Sequence, residues 1–540
     1  MQLMIVLLLF AAGALAADPH TLQWPDTYTI SGTISLPYAE ITEPFQAIMD
    51  IGAKMGRMNI NNGEVTLIYR GDDGDYGTLY KTVPVTMNDT YNVMTCYALA
   101  GSSDQPVLPQ TVLPDPTLYK YVADMKYADQ DSMLYISSFT ENTKNNNYTL
   151  IVTTDMKPLI LSFLGFDRLF GSHYDEYVVT YDNVSFDKPD ASNFIVASKD
   201  SCKTSFPGPG RTHPMTESIF HELMGPGSFE ERTQHVQDAF ESFKSRYGKS
   251  YESHVHEAER KHHFHHNYRF VKAMGNKRSS FTVELNHLAD LSDAEMKRMR
   301  GYKNSGINSE FVYTSSVSAN DIPDYVNWWL KGAVTPVKDQ AICGSCWSFG
   351  TTGTLEGSLF IKTGNLVALS EQAFVDCSWG QGNNGCDGGE SERAFEWLLL
   401  GRCLPTEATY PYMMQDSTCK DKTATCGVRI SKYYNVMSTN VTDLKVKIFE
   451  RGPISIAIDA SHRSFSFYAN GVYKEPKCGN TPNDLDHQVL AVGYGDVNGD
   501  EYVIVKNSWS THWGNDGYVL MSTDNNQCGI ATDGSFADVM

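Results

Sequence analysis

Eleven cysteines are spread unevenly over 540 residues, and nine of them lie between Cys343 and Cys528. In an oxidising compartment cysteines pair, and a set this dense staples the domain that carries it. The count is odd, so at least one thiol stays single, either by accident or because it does chemistry. Residues 1–16 indicate the compartment: the run 3–10 is apolar and ends at Ala14-Leu15-Ala16, the small-x-small pattern of a signal-peptidase site. That run is too short to span a bilayer, and no later segment is apolar for long enough. Four N-x-[ST] sequons, at Asn88, Asn147, Asn183 and Asn440, fit the same secretory route. The expected destination is a lysosome or a secreted fluid, with no membrane span.

The chain is too long for one hydrophobic core, and its formal net charge of −21 argues against a nucleic-acid partner, which needs a basic face. Its character changes along its length. Residues 17–206 alternate Tyr, Thr, Val and Ile with Asp, Asn and Gly clusters, as in Val65-Thr66-Leu67-Ile68-Tyr69, and read as a β-rich domain. Cys96 and Cys202 are the only cysteines there, so their natural partner is each other. Pro207-Gly208-Pro209-Gly210 and Gly225-Pro226-Gly227 bracket a linker over 207–230. Beyond it, Val236, Ala239, Phe240, Phe243 and Tyr247 share one helical face, and a second helical run carries Arg260, Phe264, Asn267 and Val271. From about Asp321 a Trp- and Gly-rich domain follows.

Three separated motifs carry chemistry. The first is Gln340-Ala341-Ile342-Cys343-Gly344-Ser345-Cys346-Trp347. A thiol attacks as thiolate, and an apolar helix beginning near Cys346 would supply the positive potential that favours the anion. The second lies 141 residues later, where His487 heads the strand-like run Val489-Leu490-Ala491-Val492; a neutral imidazole there can take the thiol proton. The third is Lys506-Asn507-Ser508-Trp509, in which the Asn507 carbonyl can orient the imidazole and Trp509 can shield that bond from water.

With these motifs in this order, residues 321–540 resemble the papain family of cysteine proteases, nearest its cathepsin L branch. Further matches are Asp321-Ile322-Pro323-Asp324, Leu369-Ser370-Glu371-Gln372 and Gly385-Cys386-Asp387-Gly388-Gly389. The resemblance implies an α+β fold with a helical left lobe and a β-barrel right lobe, and a cysteine endopeptidase that needs no cofactor or metal. It gives Gln340 and the Cys346 N–H to the oxyanion, and backbone pairing with substrate to Gly388 and Gly389. Glu390, Leu485, Asp486 and Trp509 fall on the substrate side, with Asp533 at the floor of the second specificity pocket. An acidic floor implies tolerance of Arg or Lys at P2, and Gln488 is expected to narrow that pocket. The implied disulfides are Cys343–Cys386, Cys377–Cys419 and Cys478–Cys528. Cys403 and Cys426, outside the family pattern, are expected to pair, leaving Cys346 free.

Residues 231–302 resemble the inhibitory propeptide of the same branch, through Arg260, Phe264 and Asn267 and then Asn286, Leu288 and Asp290. A two-helix cap is implied, followed by a segment that crosses the cleft backwards and by a cleavage segment over 303–320. His254, His256, His262, His263, His265 and His266 crowd one propeptide helix, and their charging near pH ~6.5 is a candidate acid trigger. Expected partners are protein and peptide substrates, the propeptide itself and cystatin-type inhibitors. The β-rich domain is open: the layout resembles a two-chain insect protease precursor in which the extension stays associated, while a cleft-blocking dipeptidyl peptidase domain and a ligand-carrying half-barrel are alternatives.

Overall fold

The computed structural model describes residues 20–87, 90–103, 106–141, 144–167, 174–197, 199–204, 219–224 and 233–540. The leader expected at 1–16, the sequon at Asn88 and most of the expected linker lie outside them. Among the described residues no helix is long and apolar enough to cross a membrane. The chain divides into two compact units, one holding most of the residues up to Gln234 and the other combining Pro84–Met94 with His235–Met540.

In the first unit the alternation of apolar and polar residues produces one eleven-stranded sheet. The first strand, Thr27–Leu36, alternates half-buried and buried side chains along its whole length and pairs antiparallel with Ile41–Asp50 on one side and Tyr174–Ser185 on the other. Successive strands then step outward to edges at Thr90–Ala100 and Lys120–Tyr127. Gly32 sits at the register shift against Tyr174–Ser185, where a Cβ would lie 1.9 Å from the Thr180 carbonyl oxygen. Cys96 and Cys202 are bonded.

The Pro- and Gly-rich linker expected over 207–230 instead contains a helix, α1 (Ile219–Met224). Phe220 and Leu223 are buried: Phe220 meets the Phe45 ring edge-on at 4.9 Å, and Tyr177 donates a hydrogen bond to the Leu223 carbonyl. The spacing Ile219-Phe220-x-x-Leu223 places these apolar groups together on one turn, which the flanking Pro-Gly pairs mask in sequence.

The second unit holds propeptide and peptidase. Helices α2 (Gln234–Tyr247) and α3 (His254–Met274) pack Val236, Phe240 and Phe243 against Phe264, Tyr268 and Phe270. A third helix not anticipated from sequence, α4 (Asp293–Arg298), begins with a capping box between Ser292 and Glu295. The propeptide motif residues clasp these pieces. Arg260 forks onto Glu295 at 2.7 and 2.8 Å, Asn267 donates to the Ala289 carbonyl and accepts from Arg463 of the peptidase, and Asp290 receives Lys249 and Tyr251. Phe281–Val283 then joins the peptidase sheet beside Tyr468–Tyr473.

The peptidase has two cores. Helices α5 (Cys346–Thr363), α6 (Glu371–Cys377) and α7 (Ser391–Leu399) build the left lobe around Trp347, Phe374 and Phe395. The right lobe is built on a sheet whose central strands include His487–Val497, Asp500–Lys506 and Ile454–Ile458, with Ile456, Val489, Trp509 and Trp513 in its core. Four disulfides staple the lobes, joining Cys343 to Cys386, Cys377 to Cys419, Cys403 to Cys426 and Cys478 to Cys528.

Candidate active site

Cys346 is the first residue of α5, fully buried and the one free cysteine among the described residues. The helix reaches the strand His487–Val497 because α5 offers glycine there: a Cβ on Gly353 would lie 2.6 Å from the Leu490 side chain. That strand alternates its side chains, so His487 faces the cleft and Gln488 the opposite side. His487 Nε2 donates to Asn507 Oδ1 at 2.8 Å. The bond holds the proton on Nε2 and leaves the Nδ1 lone pair for the thiol proton. Trp509 packs on the imidazole with ring centroids 4.7 Å apart, itself braced by Phe465 and Trp513. Gln340 is fixed by Ser508 Oγ, which donates to its Oε1 at 2.7 Å, and its Nε2 points across the cleft mouth.

The propeptide fills this cleft. Gln340 Nε2 donates to the Met299 carbonyl at 2.7 Å, and the Gly301 N–H points at Cys346 Sγ at 3.3 Å. Gly301 is obligatory, since a Cβ there would sit 1.8 Å from the Gly344 carbonyl oxygen. The chain then pairs with Gly389: the Gly389 N–H donates to the Gly301 carbonyl, and the Lys303 N–H to the Gly389 carbonyl. The ladder is parallel. Tyr302 enters a pocket walled by Ala457 and Leu485, and its hydroxyl donates to Asp533. A substrate fills its second pocket with the residue before the one under attack. Here the pocket takes the residue after Gly301, so the propeptide runs backwards.

Residues 322–537 match the papain family cysteine protease domain, and residues 240–296 match the cathepsin propeptide inhibitor domain. Digestive cysteine proteinase 1 of Homarus americanus is 42% identical over 308 residues, covering 56% of this chain and 94% of the lobster protein. The chain belongs to the papain family of cysteine proteases. Procathepsin L of Rattus norvegicus is 42% identical over 267 residues, 48% of this chain and 79% of the rat protein. Among solved structures, digestive procathepsin L 3 of Tenebrio molitor larval midgut superposes with a TM-score of 0.52 at 35% identity, covering 56% of this chain and 99% of that one. With its propeptide seated, the chain is a cathepsin L-like cysteine protease in zymogen form.

In this papain-family zymogen Cys346 and His487 are electrically silent. Burial pushes the Cys346 thiol up to about 11, against the pull of the Gln488 and Gly301 N–H groups. Burial drives the His487 imidazole down to about 3, outweighing the Asn507 bond. Both groups are therefore uncharged under the propeptide, Cys346 as a thiol and His487 as a neutral imidazole. Asp486 takes Arg300 in an ion pair at 2.7 Å, while its carbonyl accepts from the Tyr302 N–H.

The surroundings of Tyr302 are more acidic than the sequence suggested. Glu390 and Glu392 are buried and Asp533 is half-buried, and desolvation raises each carboxyl above its usual range. Glu390 accepts from the Ser305 N–H at 2.9 Å, and Glu392 accepts from Asn435 at 3.1 Å. Glu392 was legible only as the Glu-x-Glu repeat with Glu390. Nothing local marks Met299, Arg300, Gly301 or Tyr302, whose partners lie far along the chain.

Three expectations need correction. Gly389 pairs with the bound segment, but the Gly388 N–H is turned back onto Gly385, so Gly388 contributes only room: a Cβ would lie 2.5 Å from the Gly301 carbonyl oxygen. Gln488 does not narrow the second pocket. Strand alternation turns it to a small polar cavity behind the catalytic pair, lined by Lys338, Glu356, Glu371 and Lys506. Trp509, counted on the substrate side, is 1% exposed and supports the imidazole from beneath. Of the sequons, Asn147 and Asn183 are exposed on strands. Asn440 caps helix α8 (Val441–Arg451), its Oδ1 accepting from the Asp443 N–H at 2.9 Å.

Proposed function

We propose that the mature enzyme is an endopeptidase working through a Cys346 thiolate and a His487 imidazolium. Once the propeptide leaves, water returns to the pair and the proton moves from sulfur to Nδ1. The thiolate attacks the scissile carbonyl carbon, and the oxygen takes the charge between Gln340 Nε2 and the Cys346 N–H. His487 then protonates the leaving amine, and water activated by the same ring hydrolyses the acyl-enzyme. The observation that carries this reading is the Met299 carbonyl held by Gln340 Nε2 at 2.7 Å, with Cys346 Sγ next to Gly301. Removing such a donor costs about 10²–10³ in kcat, the expected effect of Gln340→Ala.

The further assignments belong to the same reading: a leader over 1–16, a β-rich domain over 17–206, a propeptide over 231–302, a cleavage segment over 303–320 and a mature chain from about Asp321. Delivery through the secretory route, glycans at the sequons, inhibition by cystatin-type proteins and continued association of the β-rich unit follow from it. The half-buried Asp533 beneath Tyr302, with the buried Glu390 and Glu392 nearby, supports a P2 preference that includes Arg, whose planar fork can span two carboxylates.

The test is hydrolysis of amino-blocked Phe-Arg and Arg-Arg fluorogenic peptides with a reductant at about pH 5.5, where His487 can act in the ion pair. Wild type, Cys346→Ala and Asp533→Ala are compared after conversion. Cleavage lost in Cys346→Ala, with Arg-Arg turnover lost selectively in Asp533→Ala, supports the reading. Cleavage of unblocked dipeptide substrates alone would replace endopeptidase with dipeptidase.

A further inference from the structure

We infer that the propeptide carries a transition-metal site on helix α3, formed by His262 and His266. The two residues are one turn apart, the spacing at which side chains meet on a helix surface. Their Nε2 atoms lie 3.2 Å apart. The ring centroids are farther apart, at 4.6 Å, with the planes at 82°. The nitrogens are therefore the facing edges of the rings.

Two imidazole nitrogens 3.2 Å apart, each bonded at ~2.0–2.1 Å to one ion, subtend about 100° at it, close to a tetrahedral angle. Nitrogen donors of this kind select zinc, nickel or copper(II) over calcium and magnesium, which want oxygen. Without an ion, one ring donates its Nε2–H to the other. Binding moves that proton to Nδ1 of the same ring, so both lone pairs reach the ion and no net charge is lost from the imidazoles. Water completes the coordination.

His266 is 9% exposed and His262 half-buried, so the site lies on a shielded turn of α3. The same helix supplies Phe264, Asn267 and Phe270 to the propeptide core. A chelate across one turn exists only while that turn is helical, so the ion stabilises the folded propeptide by mass action. Removal of the propeptide discards the site. The peptidase chemistry does not use the ion, and this inference stands apart from the proposed P2 preference.

The full-length chain carrying Cys346→Ala, which removes the competing thiol and prevents self-processing, is titrated with zinc chloride by calorimetry at about pH 7.5, where imidazoles are neutral. One equivalent should bind in the micromolar range and raise the unfolding temperature, while calcium does neither. His262→Gln/His266→Gln should weaken binding at least about tenfold and abolish the thermal shift, as loss of a ligand does. His254→Gln/His263→Gln, also on α3, should leave both unchanged. If the double variant at the site does not fold, His262→Gln alone gives the same reading at a half-buried position. Absence of binding by the parent, or equal binding by the site variant, overturns the inference.

Discussion

At the scale of single residues, the zymogen is kept inactive by desolvation as much as by obstruction. A thiol near about 11 and an imidazole near about 3 are both uncharged across the whole working range. Alkylation of Cys346 by iodoacetamide should therefore be slow in the intact chain between about pH 4 and 9 and rise about tenfold per pH unit, as the thiolate fraction does below the thiol's titration. After propeptide removal it should become fast and follow the formation of the ion pair. Equal rates before and after removal would show that burial does not set the reactivity. Gly301 provides a second residue-scale test. Its missing side chain is what lets the segment pass the Gly344 carbonyl. Gly301→Ala should give a chain that cleaves peptides at neutral pH without an acid step, whereas retained latency would mean that the cleft accommodates the methyl group.

At the scale of elements, the propeptide is held by side chains drawn from distant positions and packed into one contact. His287 lies near Tyr247 of α2 and His512 of the peptidase, with ring centroids 6.4 and 5.9 Å away. Burial, with help from Lys249 and His512, lowers its imidazole from 6.5 to about 4. A histidine lowered in the packed state is neutral there. As pH falls through about 6.5, the released propeptide binds a proton that the packed one cannot, and packing loses up to about 1.4 kcal/mol per pH unit until about pH 4. Replacement by Phe should shift the midpoint of zymogen conversion to lower pH, and an unmoved midpoint would remove His287 from the process. The Arg260–Glu295 clasp behaves differently: burial raises the Glu295 carboxyl, but Arg260 and Ser292 outweigh it and hold it at about 2. It therefore stays ionised through the same window. In sequence, the crowded histidines of α3 draw attention and the solitary His287 does not, because its environment is assembled from three separate stretches. The catalytic set was legible for the opposite reason: Cys346, His487 and Asn507 each sit in a short motif with its own chemistry. The side to which Gln488 turns needed the register of a strand, and the helix α1 needed the sheet it covers.

At the scale of the molecule, propeptide and peptidase fall together in one compact unit. The lobster proteinase is matched over 94% of its length while covering only 56% of this chain, so a comparable enzyme exists with little beyond the matched part. Residues 233–540 expressed alone should fold, convert in acid and hydrolyse blocked peptides with kcat/KM within about twofold of the converted full-length chain, as expected of an autonomous domain. Insolubility or loss of activity would assign the β-rich unit a part in folding or catalysis. The parallel ladder between Tyr302 and Gly389 has a kinetic consequence as well. A segment seated in that direction presents no bond to its own enzyme. It becomes cleavable only after it lifts away and turns end for end, and then any neighbouring mature molecule can cut it. Conversion should then run as a chain reaction: a dilute solution is expected to stay dormant, and a crowded one, once the first copies escape, to ignite with a lag that shortens as concentration rises.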